Sequence, residues 1–344
     1  MTRIYRYDKP FRLECGTVLP ELRIAYDTYG ELNSRGDNAV WVCHALTADS
    51  RVDQWWPHTV EAGAFLDPTR YFTVCANILG SCYGTTGPLT PLPPRGEPLY
   101  DAFPRLTIRD LVRAHMLLAD AFGLGRIHAL VGSSVGGFQA IEWAVEQPER
   151  FGRLVLIATD AKASPWAIAV DETQRMAIRA DATWGARRPD AAAAGLAAAR
   201  AIGLLTYRGP EGYNRTQQDA PCDGGIPDPL HRACTYQRHQ GDKLTARFNA
   251  YSYVSILDCF DTHDTGRGRG GTEASLRRIT SPTLVVGIST DIVFPAADMR
   301  RLCAAIPGAR YAEIDSAFGH DGFLVEHQAL NGLLAPFLSG GLKI

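Results

Sequence analysis

Gly132-Ser133-Ser134-Val135-Gly136 has the pattern G-x-S-x-G and stands between an apolar run and an amphipathic one. Between a strand and a helix, this pattern makes a tight turn that presents the central hydroxyl at the C-terminal edge of a sheet. Ser134 is therefore the candidate nucleophile, with Ser133 facing the other way, packed in the turn. The bland alternative is a glycine-rich turn with an incidental serine. A serine hydroxyl is a poor nucleophile until a base takes its proton. In this arrangement the chain order is Ser, then Asp or Glu, then His. "TLVVGISTDIVFP" places Asp291 at the end of a late strand, and "YAEIDSAFGHDGFL" places His320 beyond the last one. Asp298 and Asp315 compete as acids, but neither stands at a strand end with a loop following. His327 lies in the helical pattern "LVEHQALNGLLAPFL", where a histidine is usually solvated or packed. The oxyanion of such a reaction needs two backbone donors. Val135 supplies one N–H, and a backbone N–H near Leu46 in "HALTADS" is the natural second. Asp49 and Ser50 could equally cap a helix there.

These residues need a sheet to hold them. Candidate strands are 39–46, 71–79, 127–133, 153–159, 282–288 and 310–316, four of them near-continuous apolar runs. Such runs suit parallel strands covered on both faces. Between them Ile108, Leu111, Val112, His115, Leu118 and Phe122 recur at helical spacing. The predicted fold class is α/β, a mostly parallel central sheet with helices on both faces. The rhythm breaks over 163–276, where alanine-rich, helix-prone pieces replace strands. A helical cap (lid) of residues 163–276 inserted in a core of residues 1–162 and 277–344 is the simplest architecture. The stretch "TGRGRGGTEAS" within it reads as a flexible loop.

Composition bounds the function. The 344 residues are 46% hydrophobic and 21% charged, ordinary for a soluble enzyme. A net charge of −2 gives no pull toward nucleic acid or membrane. No secretory h-region or transmembrane-length apolar run occurs. The eight cysteines form no CxxC pair and no zinc-ligand spacing, and several sit in apolar runs as buried free thiols. The expected location is the cytoplasm.

Taken together, "IAYDTYGELN" (24–33), "HALTADS" (44–50), "CANILGSCYGTTGP" (75–88), "FPRLTIRDLVRAH" (103–115), "GSSVGGFQAIEWA" (132–144), "LLTYR" (204–208), "TDIVFP" (290–295) and "GHDGFLVE" (319–326) resemble the homoserine O-acetyltransferases. The resemblance runs from about residue 4 to the C-terminus. It implies the α/β-hydrolase fold and a ping-pong acyl transfer in methionine biosynthesis. The donor is acetyl-CoA (or succinyl-CoA), with no bound cofactor and no metal. By the same resemblance Arg208 holds the acceptor carboxylate and Asp321 its ammonium, and relatives form homodimers through cap helices. The chain departs from the usual family pattern at Ala48, Ser133, Val135, Asn249 and Tyr251, and around "DAPCDGGIPDPLHRAC". Serine as acceptor and succinyl as acyl group stay open. So does a plain serine esterase or thioesterase, which needs the same triad. A non-enzymatic binding protein on this scaffold is disfavoured by the complete Ser134–Asp291–His320 set.

Overall fold

The computed structural model describes residues 2–94, 96–220 and 230–341. Eight strands form its main sheet: β1 (Arg3–Tyr7), β2 (Leu22–Tyr29), β3 (Ala39–Cys43), β4 (Phe72–Ala76), β5 (Ala129–Ser133), β6 (Leu154–Ile157), β7 (Thr283–Ile288) and β8 (Arg310–Ile314). Their spatial order is β1-β2-β4-β3-β5-β6-β7-β8. β2 pairs antiparallel with β1 and β4, and every pairing from β4 to β8 is parallel. Each of the six expected strands is present, shortened by up to three residues at one end or both.

Side-chain alternation explains why the central strands read as unbroken apolar runs. Trp41 and Cys43 of β3 enter one core with Leu130, Leu154 and Leu156, while Val40 and Val42 enter the other with Val131, Val155 and Ile157. With helices on both faces, neither side of the strand meets water. On the first face α1 (Ile108–Ala121) starts at a capping box formed by Thr107 and Asp110 and buries Leu111, His115 and Leu118 against α2 (Val135–Glu146). On the second, Trp56, Phe65 and Phe323 pack edge to face.

Between β6 and β7 the chain leaves the sheet for α3 (Pro165–Arg179), α4 (Ala193–Tyr207), α5 (Pro210–Thr216), α6 (Arg232–Thr245) and α7 (Ala250–Asp261). It returns to the sheet layer where Lys162 pairs with Asp264 at 2.9 Å. The glycine-rich segment expected to be flexible is instead tied down. Arg269 reaches Glu142 at 2.6 Å and Glu146 at 2.7 Å, and Arg267 reaches Glu14 at 2.7 Å. A short β7–β8 crossover follows through α8 (Ala296–Ala305), and α9 (His327–Ser339) is the last described helix. All seven described cysteines are free, as expected; Cys43, Cys75 and Cys259 are buried, but Cys15 and Cys234 are exposed. Cys222 and most of "DAPCDGGIPDPLHRAC" lie outside the described residues. No helix among them is long and apolar enough to cross a membrane.

Candidate active site

Ser134 stands between β5 and α2 with φ 54° and ψ −128°. A non-glycine residue held there costs about 1–3 kcal/mol, so its surroundings must impose the conformation. Its N–H donates to the Ile157 carbonyl at 2.9 Å, and Thr159 Oγ1 donates to its carbonyl at 2.8 Å. The turn also needs space. A Cβ on Gly132 would fall 2.3 Å from the Gly136 carbonyl oxygen, and one on Gly136 would fall 2.0 Å from that of Cys43. Only glycine permits those approaches, and the result aims the Ser134 side chain outward. Ser133 points the other way: it is buried, and its Oγ finds no partner among the described residues.

His320 faces that hydroxyl. With its ring proton on Nδ1, His320 donates to Asp291 Oδ2 at 2.7 Å, and its Nε2 accepts from Ser134 Oγ at 2.9 Å. Asp291 is itself fixed, because its Oδ1 accepts from the N–H groups of Val293 at 2.7 Å and Phe294 at 3.0 Å. Phe294, Phe323 and Tyr207 surround the imidazole at centroid distances of 5.4, 5.3 and 5.9 Å. Burial alone would lower the His320 pKa. The charge and hydrogen bond of Asp291, with a smaller push from Asp321, outweigh it and hold the pKa above the ordinary value.

The competing residues are elsewhere. Asp298 pairs with Arg301, Asp315 accepts from Ser289 Oγ at 2.9 Å, and His327 Nδ1 bonds its own helix start at Val325. None touches His320.

Ser134 and His320 open on a cavity of about 580 Å³, bordered also by Leu46, Val135, Arg208 and Asp321. Asp291 sits behind the ring. Arg208, at the end of α4, donates from Nε to Asp321 Oδ2 at 2.6 Å. Two residues missed in the sequence belong here. Thr159 follows β6 beside the nucleophile turn, a position that strand order would have indicated. Tyr207 precedes Arg208, and nothing in its spacing marked it. Of the described departures from the family pattern, only Ala48 and Val135 border the cavity. Asn249 caps α7 by accepting from Ser252 N–H at 2.8 Å, and the Tyr251 hydroxyl accepts from Arg187 N–H at 3.0 Å.

Comparison with known proteins bears on the fold and the family. Residues 38–327 match the alpha/beta hydrolase fold family. A homoserine O-acetyltransferase from Cyclobacterium marinum is 42% identical over 336 residues, spanning 97% of this chain and 94% of that protein. Among solved structures, homoserine O-acetyltransferase from Bacillus anthracis superposes with a TM-score of 0.88 at 22% identity, covering 98% of both chains. Esterase E22 does so with 0.89 at 21% identity, covering 98% of this chain and 99% of that one. At such identities the two superpositions speak for the fold, which a transferase and an esterase share. The sequence match over nearly the whole length decides the family: this chain belongs to the homoserine O-acetyltransferases, acyltransferases of the α/β-hydrolase fold.

Proposed function

We propose that the chain moves an acetyl group from acetyl-CoA to the side-chain hydroxyl of L-homoserine through an acyl-Ser134 intermediate. His320 Nε2 takes the Ser134 proton as Oγ attacks the thioester carbonyl. The N–H groups of Leu46 and Val135 stabilise the tetrahedral oxyanion. Val135 opens α2, where an N–H has no helical acceptor, and the Leu46 N–H has no acceptor among the described residues. Collapse breaks the C–S bond, and His320 returns the proton to the departing CoA thiolate. In the second half the homoserine hydroxyl gives its proton to His320 and attacks the acyl carbon. Ser134 leaves and takes that proton back. Asp291 holds the ring in its tautomer and stabilises the imidazolium.

One observation carries the choice of transfer over hydrolysis: the Arg208–Asp321 pair borders the same cavity as Ser134. Opposite charges side by side suit an amino acid, whose carboxylate and ammonium are adjacent. Water needs neither. Arg208 spends only Nε on Asp321, and its guanidinium lies over the Tyr236 ring with the Nη groups lacking a hydrogen-bond partner among the described residues. Residues 163–276 act in this reading as the lid, since α3, α4, α6 and α7 all contribute side chains to the cavity.

The test is intact-protein mass spectrometry after mixing with acetyl-CoA, followed by homoserine or serine, and repeated with succinyl-CoA. Wild type should carry an acetyl adduct that homoserine discharges fastest, and Ser134→Ala should carry none. An adduct on Ser133, or one lost to water as fast as to any amino acid, would overturn the proposal. The latter outcome would make the chain an esterase.

A further inference from the structure

Five cationic side chains border the cavity: Arg51, Arg200, Arg208, Lys243 and Arg247. Carboxylates already match two of them, Asp49 for Arg51 and Asp321 for Arg208. The other two carboxyls on the wall do not offset the rest. Asp261 is engaged by Arg175 at 2.6 Å. Asp171 Oδ1 accepts from Gln174 Nε2 at 3.2 Å, and burial, then the charge of Asp261, push its carboxyl well above the usual carboxylate range. Arg200 and Lys243 have no carboxylate partner among the described residues, and Arg247 bonds the Tyr83 hydroxyl and the carbonyl and hydroxyl of Thr47.

The three unmatched cations share one wall. Gln240, Lys243 and Arg247 are spaced i, i+3, i+7, so a single face of α6 and the turn after it looks into the cavity. Arg200 joins them from α4, which α6 approaches closely. A Cβ on Gly241 would fall 2.9 Å from Ala197 Cβ. A helix C-terminus favours one cation nearby. That accounts for Lys243 on α6 but not for a cluster drawn from two helices and a turn. Left unmatched beside a cavity, three like charges repel one another, and a polyanionic ligand would relieve that repulsion.

We propose that Arg200, Lys243 and Arg247 form the subsite for the phosphorylated tail of the acyl donor, a CoA-type thioester carrying a pyrophosphate and a 3′-phosphate. This rests on acyl-CoA being the donor and adds which wall holds its phosphates. The subsite lies on the α4–α6 side, so the tail can stay bound while the Arg208–Asp321 pair is left to the acceptor.

The test compares kcat/KM for acetyl-CoA with kcat/KM for acetyl-pantetheine, which has the same thioester and no phosphate. The ratio in wild type should favour acetyl-CoA, and it should fall about tenfold in Lys243→Gln or Arg200→Gln, and further in the double variant. Raising ionic strength from about 0.05 to 0.5 M should erode the wild-type ratio and affect the double variant less. A ratio unchanged in the double variant overturns the subsite. Should the variants not fold, a wild-type ratio indifferent to salt overturns it as well. The two readings fail differently. A wild type that takes acetyl-CoA and acetyl-pantetheine equally well sinks the subsite alone. One that acquires no acetyl group from either sinks the donor reading on which it rests.

Discussion

At Ser134 the chain accepts a strained backbone so that a hydroxyl can stand 2.9 Å from His320 Nε2. What the hydroxyl can do then depends on the protonation of the ring. His320 must be neutral to take the serine proton, and its pKa is held above the ordinary value against the pull of burial. Activity is therefore expected to disappear as pH falls through that raised pKa, above the pH at which a free histidine titrates. Asp291→Asn removes the largest lift and leaves burial in place, so the acid limb should move to lower pH. The plateau should also drop by about 10³–10⁴-fold, because the imidazole loses its orienting anion. A pH–rate profile of acylation reads both effects. Asp298→Asn and Asp315→Asn, whose partners are Arg301 and Ser289, should leave the profile in place. If Asp298→Asn shifted it, the acid would be misassigned. These positions were legible because each chemical role demands a residue type at a particular strand end.

Elements were legible where one local pattern determined them. The apolar runs of β3 to β7 announce strands buried on both faces. β1 does not, because its Arg3 and Arg6 are exposed on the sheet edge. β2 mixes Arg23 and Asp27 into its run, and Asp27 is satisfied by Ser50 Oγ at 2.6 Å, a partner 23 residues away. Distance along the chain also hid the nature of the glycine-rich segment. Its arginines look like solvated loop charges until Glu142 and Glu146 are brought beside them. Arg269 is 11% exposed and Glu142 only 3%, so this contact is close to a buried ion pair. Removing one partner of such a pair leaves the other desolvated and uncompensated. Arg269→Ala should cost about 3 kcal/mol of stability, measured as a lower urea midpoint with an unchanged slope. Glu142 lies about two turns along α2 from Ser134, so kcat/KM should hardly change. A stability loss below about 1 kcal/mol would show that Arg109, at 3.1 Å, satisfies Glu142 alone.

At the scale of the whole molecule, the cavity exists only because the excursion between β6 and β7 folds back over the strand ends. The Arg208–Asp321 contact crosses that join, linking residues 113 apart in sequence. No spacing rule could have paired them; resemblance alone singled them out. Their charges should serve the second half of the reaction rather than the first. Arg208→Ala should acylate from acetyl-CoA at near the wild-type rate and discharge poorly to homoserine. Loss of a charge-assisted contact is worth about 1.5–3 kcal/mol, or roughly one to two powers of ten in acceptor-dependent kcat/KM. The substitution also frees Asp321, whose charge already raises the His320 pKa. With its partner gone that push should grow and carry the acid limb upward, so on that limb both halves slow together. On the plateau above the acid limb His320 is neutral in either protein, and only the acceptor half should remain impaired. Asp321→Asn should also weaken homoserine, through its ammonium, while moving the acid limb the opposite way. Single-turnover acylation compared with acceptor-dependent deacylation, on the acid limb and on the plateau, separates the contributions. Equal slowing of the two halves on the plateau in Arg208→Ala would place its guanidinium with the donor, and the acceptor carboxylate would need another partner.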